Sequence, residues 1–216
     1  DKYFKTDDLK KCSRFWIILF KTILSKLYHW KIYVVGSVDY QYPNHLFQAG
    51  YFLDKKYYDE NTIDFKHLLL SEKNQSLLKD IQNSNSVGVH IRRGDYMTKQ
   101  NLVIFGNICT QKYYHDAIRI ITEKVNDAVF YVFSDDISWV QTHLDIPNAV
   151  YVNWNTGESS IYDMYLMSSC KYNIIANSTF SYWAARLNKK TNMVIYPSKW
   201  YNTFTPDIFP ESWCGI

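Results

Sequence analysis

The sequence has little glycine, proline or cysteine. Only 7 of its 216 residues are glycine and 5 are proline, which excludes collagen-like and linker-like chains and leaves little material for a glycine-rich phosphate loop. The four cysteines are too far apart for a zinc knuckle or a redox dithiol, and too few for a disulfide scaffold. They are Cys12, Cys109, Cys170 and Cys214. We therefore expect the protein to reside in a reducing compartment.

The sequence also lacks an excess of charge and a clustered metal site. Its 24 basic and 21 acidic side chains leave a net charge of +3, which is too balanced for a nucleic-acid coat or a polybasic membrane tether. The six histidines are scattered, and no two aspartates are separated by one residue. The short carboxylate clamp that holds a metal on a nucleotide sugar is therefore missing. We expect no metal and no nucleic-acid partner.

Long hydrophobic runs are missing as well. The most apolar stretch, Phe15–Leu19, is soon followed by Lys21 and Lys26 and falls far short of the ~20 residues that a membrane span requires. The chain opens without an early apolar region, so we expect no signal peptide and a cytoplasmic location. Residues 10–31 alternate apolar and basic positions with a helical period. They form either a helix that packs on the core or an interfacial helix in peripheral contact with anionic lipid at the inner face of the membrane.

From Ser86 onward, short apolar runs alternate regularly with amphipathic stretches. Hydrophobic residues make up 47% of the chain, enough for a core, whereas residues 1–85 are typical of mixed helix and loop. The alternation predicts an α/β fold with a doubly wound parallel sheet in a domain over 86–216. The predicted strands are 86–91, 128–133, 149–152, 172–176 and 193–196, and the predicted helices are 112–125, 137–144, 161–170 and 180–187.

Three of the predicted strands end in polar clusters. These are His90 to Asp95, Ser134 to Asp136, and Asn177 to Thr179. Open parallel sheets bind ligands at the carboxyl ends of their strands. We therefore expect all three clusters to face the same crevice.

Each cluster fits both a binding role and a structural role. Arg92 and Arg93 form a good clamp for phosphate oxygens, or they pair with Asp95 or with the two aspartates of the second cluster. His90 either contacts a ligand or is satisfied by a backbone carbonyl. One of Asp135 and Asp136 suits a helix N-cap, and the other is available to accept hydrogen bonds from a guanine base or from sugar hydroxyls.

The third cluster runs from a strand into a helix start. Backbone N–H groups at such a start, together with the Ser178 and Thr179 hydroxyls, make a natural phosphate seat. Simple helix capping is the alternative. Asn177 begins the cluster and is counted with the binding candidates.

Three motifs together resemble those of the α-1,2-fucosyltransferases, glycosyltransferase family 11. They are Val89-His-Ile-Arg-Arg-Gly-Asp-Tyr96, Phe133-Ser-Asp-Asp136 and Ile174-Ile-Ala-Asn-Ser-Thr-Phe-Ser181. Further similarity extends through Tyr162-Asp-Met-Tyr-Leu-Met167 and Pro197-Ser-Lys-Trp200. The resemblance implies a GT-B-like architecture, with residues 1–85 as the helical remainder of an acceptor-side domain and residues 86–216 as a Rossmann-like nucleotide-sugar domain.

The resemblance also implies an activity and a set of site residues. The family transfers L-fucose from GDP-β-L-fucose to the 2-hydroxyl of a galactoside, inverts the anomeric centre and needs no metal or other cofactor. Carried over by position, Arg93 together with Arg92 holds the pyrophosphate, and His90 contacts the nucleotide. Asp95 is the candidate base for the acceptor hydroxyl. Guanine recognition falls to Asp135 or Asp136, and the phosphate pocket is lined by Ser178, Thr179 and Ser181.

The chain departs from the family pattern near its beginning. Members begin with a Gly-Gly-x-Gly-Asn-Gln loop, and residues 1–47 contain no such motif. We expect either a chain without the family's first strand and loop or a diverged region. Two functions follow: a bacterial fucosyltransferase acting on a surface glycan, or a non-catalytic GDP-sugar or glycan-binding module derived from such an enzyme.

Overall fold

The computed structural model describes residues 3–5, 23, 33–35, 47–49 and 63–216. Apart from Ile23, residues 10–31 and the membrane contact predicted for them lie outside this part. The chain divides into two compact units, the first mainly Lys5–Asp64 and the second mainly Phe65–Thr205. The predicted domain boundary at 85/86 lies further along the chain than this division.

Two short sheets lie near the start of the chain. Strand β1 (Phe4–Lys5) pairs with β4 (Asp64–Phe65), and β2 (Tyr33–Val35) pairs in parallel with β3 (Phe47–Ala49). The Phe4 and Phe65 rings lie 5.3 Å apart, so β1 and β4 are also joined by an aromatic contact.

The second unit alternates strands and helices as the sequence predicts. All five predicted strands and all four predicted helices are present, with ends that differ by at most two residues. The sequence did not individually predict the helices Glu72–Asn83 and Lys99–Phe105, the strand Cys214–Gly215, or the 3₁₀ turns at Gly94–Met97 and Gly157–Ser159. The strands are β5 (Asn85–Ile91), β6 (Ala128–Ser134), β7 (Ala149–Val152), β8 (Tyr172–Ile174), β9 (Met193–Tyr196) and β10 (Cys214–Gly215). The helices are α1 (Glu72–Asn83), α2 (Lys99–Phe105), α3 (Gln111–Lys124), α4 (Ile137–His143), α5 (Ser160–Ser168) and α6 (Thr179–Arg186).

The six strands β5 to β10 form one parallel sheet in the order β10-β9-β8-β5-β6-β7. The chain runs outward from β5 through β6 to β7, then returns to β8 on the other side of β5 and continues to β10. This is the doubly wound order of a Rossmann-like fold, and the direction of winding reverses between β5 and β8. The predicted α/β class and Rossmann-like sheet are confirmed.

Side-chain alternation along β5 explains why both faces of the sheet are covered. Val87, Val89 and Ile91 are at most 1% exposed and pack in the same core cluster as the apolar stripe of α3. The members of that stripe recur with a helical period, and all of them are buried: Tyr114, Ala117, Ile118, Ile121 and Val125. Gly88 faces the opposite side, where a Cβ would lie 3.0 Å from the Met167 side chain of α5.

Local hydrogen bonds mark where several helices begin. The hydroxyls of Ser71 and Thr110 accept from backbone N–H groups in the first turns of α1 and α3, and the Asp136 carboxylate does the same for α4. Such caps satisfy N–H groups that have no partner inside the helix. Among the described helices, none has both the length and the apolar character needed to cross a bilayer.

Candidate nucleotide-sugar site

A cavity of about 700 Å³ lies at the carboxyl edge of the sheet, where the winding direction reverses. The structure brings residues from all three predicted clusters into it, together with residues that follow β7. Parallel strands make this convergence unavoidable, because their carboxyl ends share one edge of the sheet. The polar lining consists mainly of His90, Arg92, Asp95, Ser134, Asp135, Asn155, Asp163, Ser178 and Thr179.

Arg92 lies in this cavity and is held by two carboxylates. Its Nη1 is 2.8 Å from Asp135 Oδ2, and its Nη2 donates to Asp95 Oδ1 at 2.6 Å. The Arg92 side chain remains 33% exposed. The predicted ion pairing of Arg92 is therefore present, and its side chain remains accessible from the cavity.

Arg93 lies in a different place. It lines a smaller cavity of about 370 Å³, which Arg92 also borders. The Arg93 guanidinium carbon sits 3.7 Å from the centre of the Trp139 ring, and its Nε donates to Asp136 Oδ2 at 3.2 Å. Arg93 is not among the residues that line the larger cavity.

The two aspartates of the second cluster have distinct contacts. Asp136 Oδ1 accepts from the Trp139 backbone N–H at 3.1 Å, which makes Asp136 the cap of α4. Asp135 Oδ1 accepts from the backbone N–H of Arg93 at 2.9 Å, while its other oxygen contacts Arg92. A Cβ at Gly94 would overlap the Asp135 carboxylate. Asp135 thus stabilises the turn that contains Arg92 and Arg93.

His90 is 5% exposed and borders the larger cavity. Its ring lies against Phe180, with the ring centres 5.0 Å apart. Within the described residues, its Nδ1 atom is buried without a hydrogen-bond partner. Burial, followed by the nearby charge of Arg92, lowers the pKa of His90 to about 3, so the imidazole is neutral at physiological pH.

The third predicted cluster divides between the cavity and the core. Ser178 and Thr179 line the larger cavity at the start of α6, and the Ser178 side chain makes no capping bond. The first N–H groups of α6 are thus not satisfied by a side-chain cap. Of the two cavities described, Asn177 borders the smaller, and its amide donates to the carbonyls of Phe105 and Trp200.

Ser181 has a structural position. It is fully buried and hydrogen-bonds the backbone of Ala176 and Ser178. It lines neither of the two cavities described above. Asn177 and Ser181 therefore hold the turn between β8 and α6, which presents Ser178 and Thr179 to the larger cavity.

Sequence reasoning assigned no role to Asp163, on α5. This carboxyl group lines the larger cavity and accepts from Asn155 Nδ2 at 2.7 Å. Burial raises the pKa of Asp163 to about 7, although the Asn155 hydrogen bond acts in the opposite direction. The available signal was the motif from Tyr162 to Met167, because a carboxylate in the first turn of a helix that follows a strand lies near the carboxyl edge of the sheet.

Comparison with known proteins gives consistent matches. An α-1,2-colitosyltransferase of Escherichia coli is 36% identical over 84% of this chain and 63% of its own length. The O-antigen biosynthesis glycosyltransferase WbnK of Escherichia coli is 44% identical over 56% of this chain and 40% of its own length. A galactoside α-(1,2)-fucosyltransferase 2 of Pongo pygmaeus is 28% identical over 69% of this chain and 48% of its own length. The matched part of the chain thus corresponds to about 40% to 63% of the length of each of these relatives.

Among solved structures, the chain is similar to the α-1,6-fucosyltransferase NodZ soaked with GDP-fucose. That match has 17% identity and a TM-score of 0.38, and it covers 58% of this chain and 44% of NodZ. The sequence profile of glycosyl transferase family 11 matches residues 13–216, which is nearly the whole chain. The chain belongs to glycosyl transferase family 11.

Proposed function

We propose that this chain carries the donor site of an inverting glycosyltransferase that moves L-fucose from GDP-β-L-fucose to the 2-hydroxyl of a galactoside in a surface glycan. One observation carries the proposal. Arg92, the start of α6 and the carboxyl group of Asp163 line one cavity at the point where the winding of the sheet reverses. This arrangement suits a nucleoside diphosphate.

The diphosphate would lie at the β5 and β8 end of the cavity. There the Arg92 guanidinium and the N–H groups at the start of α6 both favour an anion. Asp95 and Asp135 orient Arg92, so the guanidinium loses little freedom when a ligand binds. We keep the expectation that no metal takes part, since Arg92 and α6 offset the phosphate charge.

The base would lie toward β7. Two inter-strand spacings, roughly 10 Å, separate β5 from β7 in the sheet, comparable with the extent of a nucleoside diphosphate. Guanine presents N–H donors on its pairing edge, which an ionised Asp163 would accept. We assign guanine recognition to Asp163 instead of Asp135 or Asp136, because Asp135 contacts Arg92 and Asp136 caps α4.

The reaction would proceed by direct displacement. The acceptor oxygen bonds to the anomeric carbon while the bond from that carbon to the diphosphate oxygen breaks, and the proton of the acceptor hydroxyl passes to Asp95. The Asp95 side chain is 57% exposed and borders the cavity beside Arg92. Negative charge develops on the leaving GDP, where Arg92 and α6 stabilise it.

The donor sugar needs its own test, because the relatives differ. One is named as a colitosyltransferase and another as a fucosyltransferase. Colitose is a fucose that lacks one hydroxyl, and a site built to bond a hydroxyl rejects the analogue without it. We favour fucose, and we expect a higher transfer rate from GDP-fucose than from GDP-colitose at equal concentration.

Calorimetric titration with GDP, followed by transfer and donor-hydrolysis assays with GDP-fucose in EDTA, tests the proposal. Binding with transfer supports it. Binding of GDP without hydrolysis or transfer would instead favour a non-catalytic GDP-sugar-binding module. Absence of GDP binding would refute both.

We also propose peripheral membrane contact through residues 10–31 at the cytoplasmic face, where surface glycans are assembled. The basic and apolar periodicity of that segment supports this contact. Sedimentation with anionic vesicles, compared with neutral ones, tests it, and equal recovery of protein in the two pellets would argue against it.

A further inference from the structure

A chain of hydrogen bonds begins at Trp154 and ends at the cavity. The indole Nε1 of Trp154 donates to Asn74 Oδ1 at 2.7 Å. An indole N–H has no acceptor capacity, so Asn74 must direct its oxygen, and not its NH₂ group, toward Trp154. Asn74 is 1% exposed, so water cannot replace the hydrogen bonds that its amide would lose if it rotated.

The fixed amide of Asn74 sets the orientation of Asn155. Asn74 Nδ2 donates to Asn155 Oδ1 at 3.0 Å, and Asn155 Nδ2 donates back to Asn74 Oδ1 at 3.0 Å. The second hydrogen of Asn155 Nδ2 is directed to Asp163 Oδ1 at 2.7 Å. Both hydrogens of the Asn155 amide are therefore in use.

The direction of donation determines what Asp163 can offer. Its Oδ1 atom is occupied as an acceptor, while Oδ2 accepts no hydrogen bond from any residue in the described part of the chain. Asp163 lines the cavity, so its Oδ2 atom is the carboxylate oxygen left available to a ligand there. If Asn155 turned over, its oxygen would face the Asp163 carboxylate, and the two acceptors would repel each other.

We propose that Trp154 and Asn74 are positioning residues that set the nucleobase specificity of the donor site by acting through Asn155 and Asp163. The inference rests on the proposed function, in which Asp163 accepts from guanine. Adenine places a nitrogen acceptor where guanine has an N–H, so a fixed Asp163 carboxylate favours GDP over ADP. Loss of the indole donor releases the amides and weakens that preference.

Calorimetric titration of the full chain with GDP and ADP tests the inference. Asp163→Asn should lower GDP affinity about tenfold and leave ADP affinity within about twofold. Trp154→Phe should lower GDP affinity roughly fivefold with little change for ADP. In the Asp163→Asn background, Trp154→Phe should have no further effect on GDP affinity, because a positioning residue acts only through its target.

Three further variants separate positioning from a general loss of stability. Asn74→Asp keeps the acceptors but replaces the donor to Asn155, and it should reproduce the Trp154→Phe result. Lys73→Met removes the ammonium group that lies 3.8 Å from the Trp154 ring centre, and Tyr131→Phe removes a 3.1 Å hydrogen bond to Ser84 outside the chain of amides. Both should leave the ratio of GDP to ADP affinity unchanged.

Equal losses of GDP and ADP affinity in Trp154→Phe, or additive effects of the two substitutions, would overturn the inference. So would an unchanged GDP preference in both Trp154→Phe and Asn74→Asp while Asp163→Asn loses it. That last outcome would leave the proposed function intact. A wild-type chain that binds GDP and ADP equally would refute both proposals.

Discussion

Replacing the two neighbouring arginines one at a time provides a direct test of the donor site. Arg92→Met keeps an apolar stem of similar length but removes the guanidinium from the larger cavity. Hydrogen bonds to charged groups contribute about 1.5–3 kcal/mol, and each 1.4 kcal/mol changes affinity tenfold. Asp95 and Asp135 would also be left beside the diphosphate without their cation. We therefore expect the Kd for GDP to rise about 10- to 100-fold.

Arg93→Met is the matched control. Arg93 borders the smaller cavity, and its guanidinium contacts Trp139 and Asp136. The Kd for GDP should therefore change by less than about threefold. Loss of the ring contact and of a partly exposed ion pair should cost about 1 kcal/mol of folding stability. Calorimetric titration gives the Kd, and thermal unfolding shows whether each variant is folded.

The order of the two effects decides the assignment. A larger loss of GDP binding in Arg93→Met than in Arg92→Met would refute our placement of the diphosphate and restore Arg93 as the main clamp, as the resemblance implies. If both folded variants bind GDP as tightly as the unmodified chain, the diphosphate does not bind at this end of the sheet.

Three other perturbations have defined outcomes. The pKa of Asp163 is about 7, and a protonated carboxyl group loses an acceptor for guanine, so GDP affinity should fall about tenfold from pH 8 to pH 6. ADP, which shares the titration of the diphosphate, is the control, and an equal fall for both nucleotides would contradict the role of Asp163. Asp95→Asn keeps an oxygen that can accept from Arg92 Nη2 but cannot take up the acceptor proton, so the rate of transfer should fall at least tenfold and GDP affinity should fall far less; an unchanged rate would remove Asp95 as the base. Gly94→Ala should displace the Asp135 carboxylate and weaken GDP binding, and unaltered affinity in a folded variant would show that Asp135 does not need to hold Arg92.

The sequence predicted the sheet well because each strand had a local signature. Continuous apolar runs such as Ala128–Phe133 are typical of strands covered on both faces, and the stripe on α3 followed a helical period. These patterns depend on residues close together in the chain. Helix α2 lacked such a pattern, since Val103 and Ile104 are exposed in the structure, and strand β10 is too short to carry one.

The same logic explains which site residues were predicted. Arg92 directly follows β5, and Ser178 and Thr179 lie in the short segment that leads from β8 into α6, so the parallel sheet brings them to one edge. Asn177 and Ser181 belong to the same segment after β8, but their side chains bond the backbone around them. Sequence position does not reveal whether a polar side chain faces a cavity or its own turn, because that depends on neighbours distant in the chain.

The amino-acid order by itself determined the alternation of strands and helices, the covered faces of the sheet and the convergence of three polar clusters, since all of these follow from periodicity and strand direction. Only the tertiary structure separated Arg92 from Arg93, which are adjacent in sequence and both border the smaller cavity, whereas Arg92 alone of the two borders the larger one. Only the tertiary structure showed that hydrogen bonds connect Trp154, Asn74 and Asp163. These bonds join α1, α5 and the segment after β7, so they depend on how the three elements pack and cannot be predicted from the sequence of any one of them.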